Sequence, residues 1–313
     1  MKKHAYFSCL IMVSFIIAAC QVVISTPTIP AEVTEDQGQK ATLELLLTQQ
    51  AATIESLTTL VVPAPSPIPT ETVGVPEVTV IPLYTGEYIA IESGGLVFSL
   101  PIEVATSAEV TNVLPDDPND GWPELALPAR RMVDFSGYVI QDHFHTPVIY
   151  VYPLEKILTA GLFGATTATN LLALLDDPAA DLQTADNLPF LPPFNAAQVF
   201  HVLEKRLDSE QGRGIRFLTL YSQGIVGVTN YEIFYTYQGH SADGRYYIAA
   251  VLPINSTLLQ DSLLSNDELD KIVDEYLDYI EDTSDLIRAE NGGILTPSLE
   301  ALDAMMLSFT VVN

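Results

Sequence analysis

Cysteine is scarce in this chain: 313 residues hold two, Cys9 and Cys20. No disulfide framework can be built from that number. Basic residues are scarce as well. Thirteen Lys and Arg stand against 40 Asp and Glu, for a formal net charge of −27. A nucleic-acid reader needs a basic face to release counterions from phosphates. Here Arg130-Arg131 and Lys205-Arg206 are isolated pairs, so nucleic acid is excluded as a partner. The acidic surface also disfavours docking of the protein itself onto acidic lipid. A long apolar run is missing too, since a membrane-crossing helix needs about 20 residues. There is no Gly-x-Ser-x-Gly elbow, no Ser-x-x-Lys and no His-Glu-x-x-His. Gly212-Arg213-Gly214 lacks the ending and the following helix of a phosphate loop. No internal repeat is evident.

What is present begins with a leader. Lys2, Lys3 and His4 give a basic start, and Cys9 to Ile17 an apolar stretch broken only by Ser14. That length fits a signal-peptide core. Ile17-Ala18-Ala19-Cys20 then follows. The pattern resembles the lipobox of bacterial lipoproteins. The resemblance implies cleavage after residue 19, a palmitate-type acyl chain on the sulfur of Cys20, and usually another on the new amino group. One chain gives reversible attachment and two or three a durable anchor. Loss of Lys2 and Lys3 takes the net charge to about −29. The mature chain would have no free thiol and no disulfide, hence no cysteine nucleophile and no thiolate metal site. The expected address is a cell membrane, lipid-anchored, facing the extracytoplasmic side.

Residues 20–82 read as a tether. Leu43, Leu47, Ile54, Leu57 and Val61 predict a short helix over about 40–61, with too few heptads for a convincing coiled coil. Pro63, Pro65, Pro67, Pro69, Pro76 and Pro82 mark a polyproline-type spacer. Twenty residues at about 3.1 Å each would reach roughly 60 Å.

Residues 83–313 read as one globular domain. Hydrophobic content of 48%, with 12 Phe and 14 Tyr, is ample for a core. Strands are predicted at Tyr88–Ile91, Leu96–Leu100, Glu103–Val113, Met132–Ile140 and Val148–Tyr152. Helices follow over Leu154–Leu162 and Thr166–Leu175, then a proline-rich loop over Leu188–Phe194. Val199–Leu207, Gly214–Tyr221, Tyr231–Tyr237 and Tyr246–Leu252 read as strands, the last two joined by an Asp243-Gly244 turn. Asn266 is expected to cap a helix with the stripe Leu269, Ile272, Val273, Tyr276, Leu277 and Ile280. Gly292-Gly293 ends it, a helix follows over Pro297–Leu307, and a strand over Phe309–Val312 closes the chain.

Strands grouped in sequence, with helices mid-chain and at the end, predict an α+β fold: an antiparallel sheet flanked by helices. Gly95-Leu96-Val97-Phe98-Ser99-Leu100-Pro101 and Leu299 to Phe309 resemble the first strand and the last helix and strand of PsbP-like domains. That resemblance implies an α/β/α sandwich. The family shares no catalytic motif, so it assigns no functional residue.

Asp142-His143-Phe144-His145 is the best candidate for chemistry. His143 and His145 alternate to one side if extended, and Asp142 could add an oxygen; imidazole and carboxylate are normal zinc ligands. No third ligand follows at a diagnostic spacing, and a polar loop before the strand at Val148 has the same composition. Asp116 to Asp120 could offer oxygens to calcium but departs from EF-hand spacing. Tyr231, Tyr235, Tyr237 and Tyr246, with Phe234 and Tyr247, concentrate on one hairpin. One alternate set should face the core and the other an interaction surface; cross-strand aromatic pairing within the sheet is the alternative.

The expected function is therefore a membrane-anchored, extracytoplasmic binding domain without catalysis. Its partner would be an envelope protein, a small ligand or a polymer, with no cofactor beyond the lipid on Cys20. A hydrolase of envelope or extracellular polymer is the alternative. An assembly factor for a membrane complex is what the PsbP-like resemblance would imply.

Overall fold

A computed structural model of the chain describes residues 84–119, 121–290 and 295–312. The leader, Cys20, the 40–61 helix, the proline-rich spacer and the Gly292-Gly293 break lie outside the described residues. Among the described residues, no helix is long and apolar enough to cross a membrane.

A seven-stranded antiparallel sheet forms the centre. Its strands are β3 (Ser107–Val113), β4 (Arg130–Ser136), β5 (Val148–Pro153), β6 (Ala197–Ser209), β7 (Gly212–Ser222), β8 (Phe234–Ser241) and β9 (Tyr246–Pro253). They lie in the order β3-β4-β5-β9-β8-β7-β6. β8 and β9 form the hairpin expected at Asp243-Gly244, with Gly244 at φ +67. Only glycine adopts that conformation without strain.

Helix α1 (Leu154–Ile157), helix α2 (Leu162–Asp176) and the segment 177–196 cover one face. There Leu171, Leu175 and Leu191 meet Tyr152, Phe217, Tyr247 and Ala249. On the other face lie α3 (Asn266–Ile272), α4 (Tyr276–Ala289), α5 (Leu299–Leu307) and the small sheet of β1 (Tyr88–Ser93), β2 (Leu96–Pro101) and β12 (Thr310–Val311). β10 (Asn255–Ser256) and β11 (Leu295–Thr296) make a short separate pair. The fold is α+β, a sheet between two covering layers. The first strand pair and the C-terminal helix and strand touch each other. β12 pairs with β2, Phe98 stacks on Phe309 at 5.1 Å, and the Ser99 amide donates to Ser308 Oγ at 2.9 Å.

Two layers explain what happens to the tyrosines. Side chains alternate along β8 as expected, but both faces of this central strand are covered. Tyr235 is fully buried and Tyr237 is 4% exposed. Neither forms an interaction surface, which corrects that expectation. Tyr231 lies in a turn before β8, outside the hairpin. Tyr246 is half-buried at the start of β9.

The helix after residue 265 also differs from its prediction. Ser265 precedes the first turn, and the Glu268 carboxylate reaches back to its amide at 2.8 Å, a capping-box contact. Asn266 is the first helical residue. A 3-10 stretch at Val273–Glu275 then rotates the face. α4 consequently docks through Tyr276, Tyr279, Ile280 and Ile287, while Leu277 is 81% exposed.

Candidate functional site

The Asp142–His145 segment holds no metal geometry. His143 Nδ1 accepts the His145 amide at 2.9 Å, and His143 Nε2 lies 2.9 Å from the Ile233 carbonyl. Both ring nitrogens are used by the main chain. Burial lowers the pKa of His143 against the pull of the Ile233 and His145 carbonyls. Asp142 has a positive φ of 54 and is exposed. His145 turns into an aromatic cluster. It stacks on Phe194 at 5.2 Å and meets the edge of Phe234 at 4.6 Å. Burial, then the neighbouring His143, push its pKa down to about 4. The acids of the 116–120 loop are used locally. Asp116 pairs with Arg130 at 3.0 Å and accepts the Leu127 amide, and Asp117 accepts from Asn119. Asp120 lies outside the described residues. Among the described residues no group of three His, Cys, Asp or Glu could hold a metal ion.

The aromatic cluster instead forms one side of a cleft of about 720 Å³ between α2 and the 177–196 segment. Sequence dictates each wall. Small residues and amides of α2 (Thr166, Asn170, Ala173) face the cleft, while Leu171 and Leu175 turn to the sheet. The 177–196 segment carries Pro189, Pro192 and Pro193 and makes no helix or strand. Its backbone groups must therefore be satisfied from elsewhere. Side chains of the sheet strands do much of this. Gln238 accepts the Leu191 amide and donates to its carbonyl, both at 3.0 Å. Gln198 accepts the Leu188 amide at 2.9 Å, and His201 Nε2 reaches the Ala185 carbonyl at 2.8 Å.

The floor is aromatic. Phe190 lies 5.0 Å from Phe194 and 4.6 Å from Tyr221, and Phe194 meets Tyr221 edge-on at 88°. Tyr221 receives a hydrogen bond from Gln198 Nε2 at 3.0 Å, and burial raises its pKa. A shallower recess of about 560 Å³ shares Phe163 and Phe194 with this cleft and extends it past Asn195 and Gln223. Asp177 is the one charged residue among those lining the two spaces. Its carboxylate is engaged by the Ala179 amide at 3.0 Å.

Beneath the segment lies a buried ionic group that sequence reading missed. β6 carries a register shift between Val202 and Lys205, and Leu203 takes a φ of 57. This bulge turns Glu204 inward, where its side chain is fully buried. His201 Nδ1 donates to Glu204 at 2.5 Å, and Arg288 lies 3.4 Å away. Burial is the largest single influence and opposes both charges, but the hydrogen bonds and the opposite charges together outweigh it: the His201 pKa is raised and that of Glu204 lowered.

Searches of the chain against protein-family models, curated proteins and solved structures return no match.

Proposed function

We propose that this chain is a lipid-anchored, extracytoplasmic binding protein whose ligand is an uncharged, hydroxyl-rich molecule, a glycan strand or a smaller sugar. The cleft between α2 and the 177–196 segment receives it. One observation carries this reading. In a chain of net charge −27, this cleft of about 720 Å³ and its extension are lined by a single charged residue. Phenyl rings offer flat apolar faces there, and Asn170, Asn187 and Thr166 offer exposed polar groups. Apolar walls with a few convergent polar groups are the usual make-up of a ligand site. The recess beyond Phe194 suits a chain-like ligand. Binding rather than turnover is supported by the titratable groups at the cleft: the Tyr221 hydroxyl is held protonated, and Asp177 caps its own loop.

The reading is tested by calorimetric titration of the full chain with cello-, malto- and chito-oligosaccharides. Saturable binding to one of them, weakened tenfold or more by Phe194→Ala, is expected. Absence of binding to all three, with fragments of the host envelope polymers equally silent, would overturn it. Metabolic palmitate labelling, abolished by Cys20→Ala, tests the anchor separately.

A further inference from the structure

A second cleft, of about 510 Å³, opens where β3 and β5 end and β4 and β9 begin. Its walls carry Arg130, Arg131, Lys156 and Arg245. These are four of the ten Lys and Arg among the described residues. Strand pairing brings them together. Arg131 faces Val151, and Pro153 faces Tyr246 across the sheet. β5 runs straight into α1, which puts Lys156 one turn on. The Leu154 amide donates to the Arg245 carbonyl at 2.8 Å and fixes that turn.

The four cations are not equally neutralised. Arg130 is paired with Asp116 at 3.0 Å and Arg245 with Asp243 at 2.6 Å. Lys156 is 3.9 Å from Glu155, with both side chains well exposed, and such a pair holds little. Arg131 has no acidic partner among the described residues. It donates to the Gly95 carbonyl at 2.9 Å and to that of Gly94 at 3.3 Å. Its guanidinium lies 5.0 Å above the Tyr246 ring. Carbonyls and a ring face orient a cation without cancelling its charge. Gly95 makes the approach feasible, since a Cβ there would fall 2.9 Å from Arg131 Nη1. Arg131 is thus a rigidly held positive charge without a counter-charge, in a cleft, on a strongly acidic protein.

We propose that this cleft binds the oxyanion group of a small soluble ligand, a phosphate, sulfate or carboxylate. Arg131 supplies the charge, and Lys156 and Arg245 close on the remaining oxygens. A planar guanidinium fork suits such groups. Val113, Leu114 and Val151 line the same cleft and receive the apolar part of the ligand. A free solute is favoured over a lipid headgroup, because the acidic surface of the chain repels an anionic bilayer.

The test is a calorimetric titration of the full chain in mild detergent with inorganic phosphate, sulfate and succinate at low ionic strength. At least one anion is expected to bind saturably, and binding should fall steeply with added salt. Arg131→Gln should weaken it tenfold or more. Lys156→Gln, at an exposed position with no structural duty, should weaken it about threefold even if the first variant folds poorly. Phe194→Ala, in the other cleft, should leave it unchanged. No binding of any of the three, or equal binding in both variants, would overturn the proposal. In a second arm the chain is inserted into phosphatidylcholine vesicles with and without phosphatidylglycerol. Amide exchange at residues 112–114 and 153–156 should be the same in both. Protection by phosphatidylglycerol alone would overturn the soluble source.

Discussion

The hydroxyl of Tyr235 donates to the Asp303 carboxylate at 3.1 Å, in a core where Asp303 itself is only 3% exposed. Arg216 Nε reaches the same carboxylate at 3.2 Å and Lys205 at 3.4 Å, while Arg216 Nη1 donates to the Leu203 carbonyl. Burial raises the Asp303 pKa against the pull of these partners. Asp303→Ala should therefore strand a buried guanidinium and cost about 3–5 kcal/mol. Tyr235→Phe should cost about 2 kcal/mol, a hydrogen bond to a charged group. Urea unfolding of the two variants measures both. Equal losses would mean that the charges are not the larger part.

The strands of this core were legible because β-branched and aromatic runs separated by turns leave few other readings. The β8–β9 hairpin followed from Asp243-Gly244 alone. What could not be read was which faces are covered. Alternation assigns Tyr235 and Phe234 to opposite sides, and only the tertiary layers decide that both sides are buried. The helix break at Val273–Glu275 had no proline or glycine to announce it. The bulge that turns Glu204 inward puts a non-glycine residue at positive φ, which nothing in the sequence signals. Arg130-Arg131 looked isolated because its companions, Lys156 and Arg245, are brought in by β5–β9 pairing across about ninety residues. The aromatic cleft was half legible: its proline-rich wall was recognised as a loop, but not as a wall.

His145 should make the domain acid-sensitive. Its folded pKa of about 4 lies below the 6.5 of an exposed histidine. Between those values the unfolded chain binds the extra proton, so stability falls as pH drops through that window and levels off below it. The loss amounts to about 2–3 kcal/mol. His145→Phe keeps a ring between Phe194 and Phe234 and should remove this part of the acid dependence. The measurement is the difference in unfolding free energy between wild type and variant from pH 7 to 4. A difference that stays constant would show that His145 does not titrate as argued.

His201, paired with Glu204, predicts the opposite trend. A raised histidine pKa contributes stability that is complete below about 6.5 and disappears as pH rises through the folded value. The lowered Glu204 pKa contributes stability above its unfolded value of 4.5, lost as pH falls through the folded one. His201 also holds the Ala185 carbonyl. Amide protection in residues 181–190 should thus be greatest in mildly acidic solution and weaken above neutrality, after correction for intrinsic exchange rates. Glu204→Gln should cost about 3 kcal/mol and flatten that dependence. Unchanged protection across the range would rule out this role of His201.

Arg206 should matter more for its shape than for its charge. Nη1 donates to the Leu174 carbonyl at 3.0 Å, and Nη2 to the Asp177 carbonyl at 2.8 Å and that of Ala180 at 3.3 Å. These are carbonyls at and beyond the C-terminal end of α2, where orphan acceptors and the helix dipole favour a cation. Arg213 adds a bond to the Leu175 carbonyl at 3.2 Å and an ion pair with Asp176. Lysine cannot span three carbonyls on two nitrogens. Arg206→Lys should therefore lose about 1–2 kcal/mol, much of what Arg206→Ala loses, because each unpaired carbonyl carries its own penalty. Thermal unfolding of the two variants decides it. Full stability in Arg206→Lys would assign the effect to charge alone. Because α2 forms one wall of the aromatic cleft, both variants should also weaken binding there without touching a residue that meets the ligand.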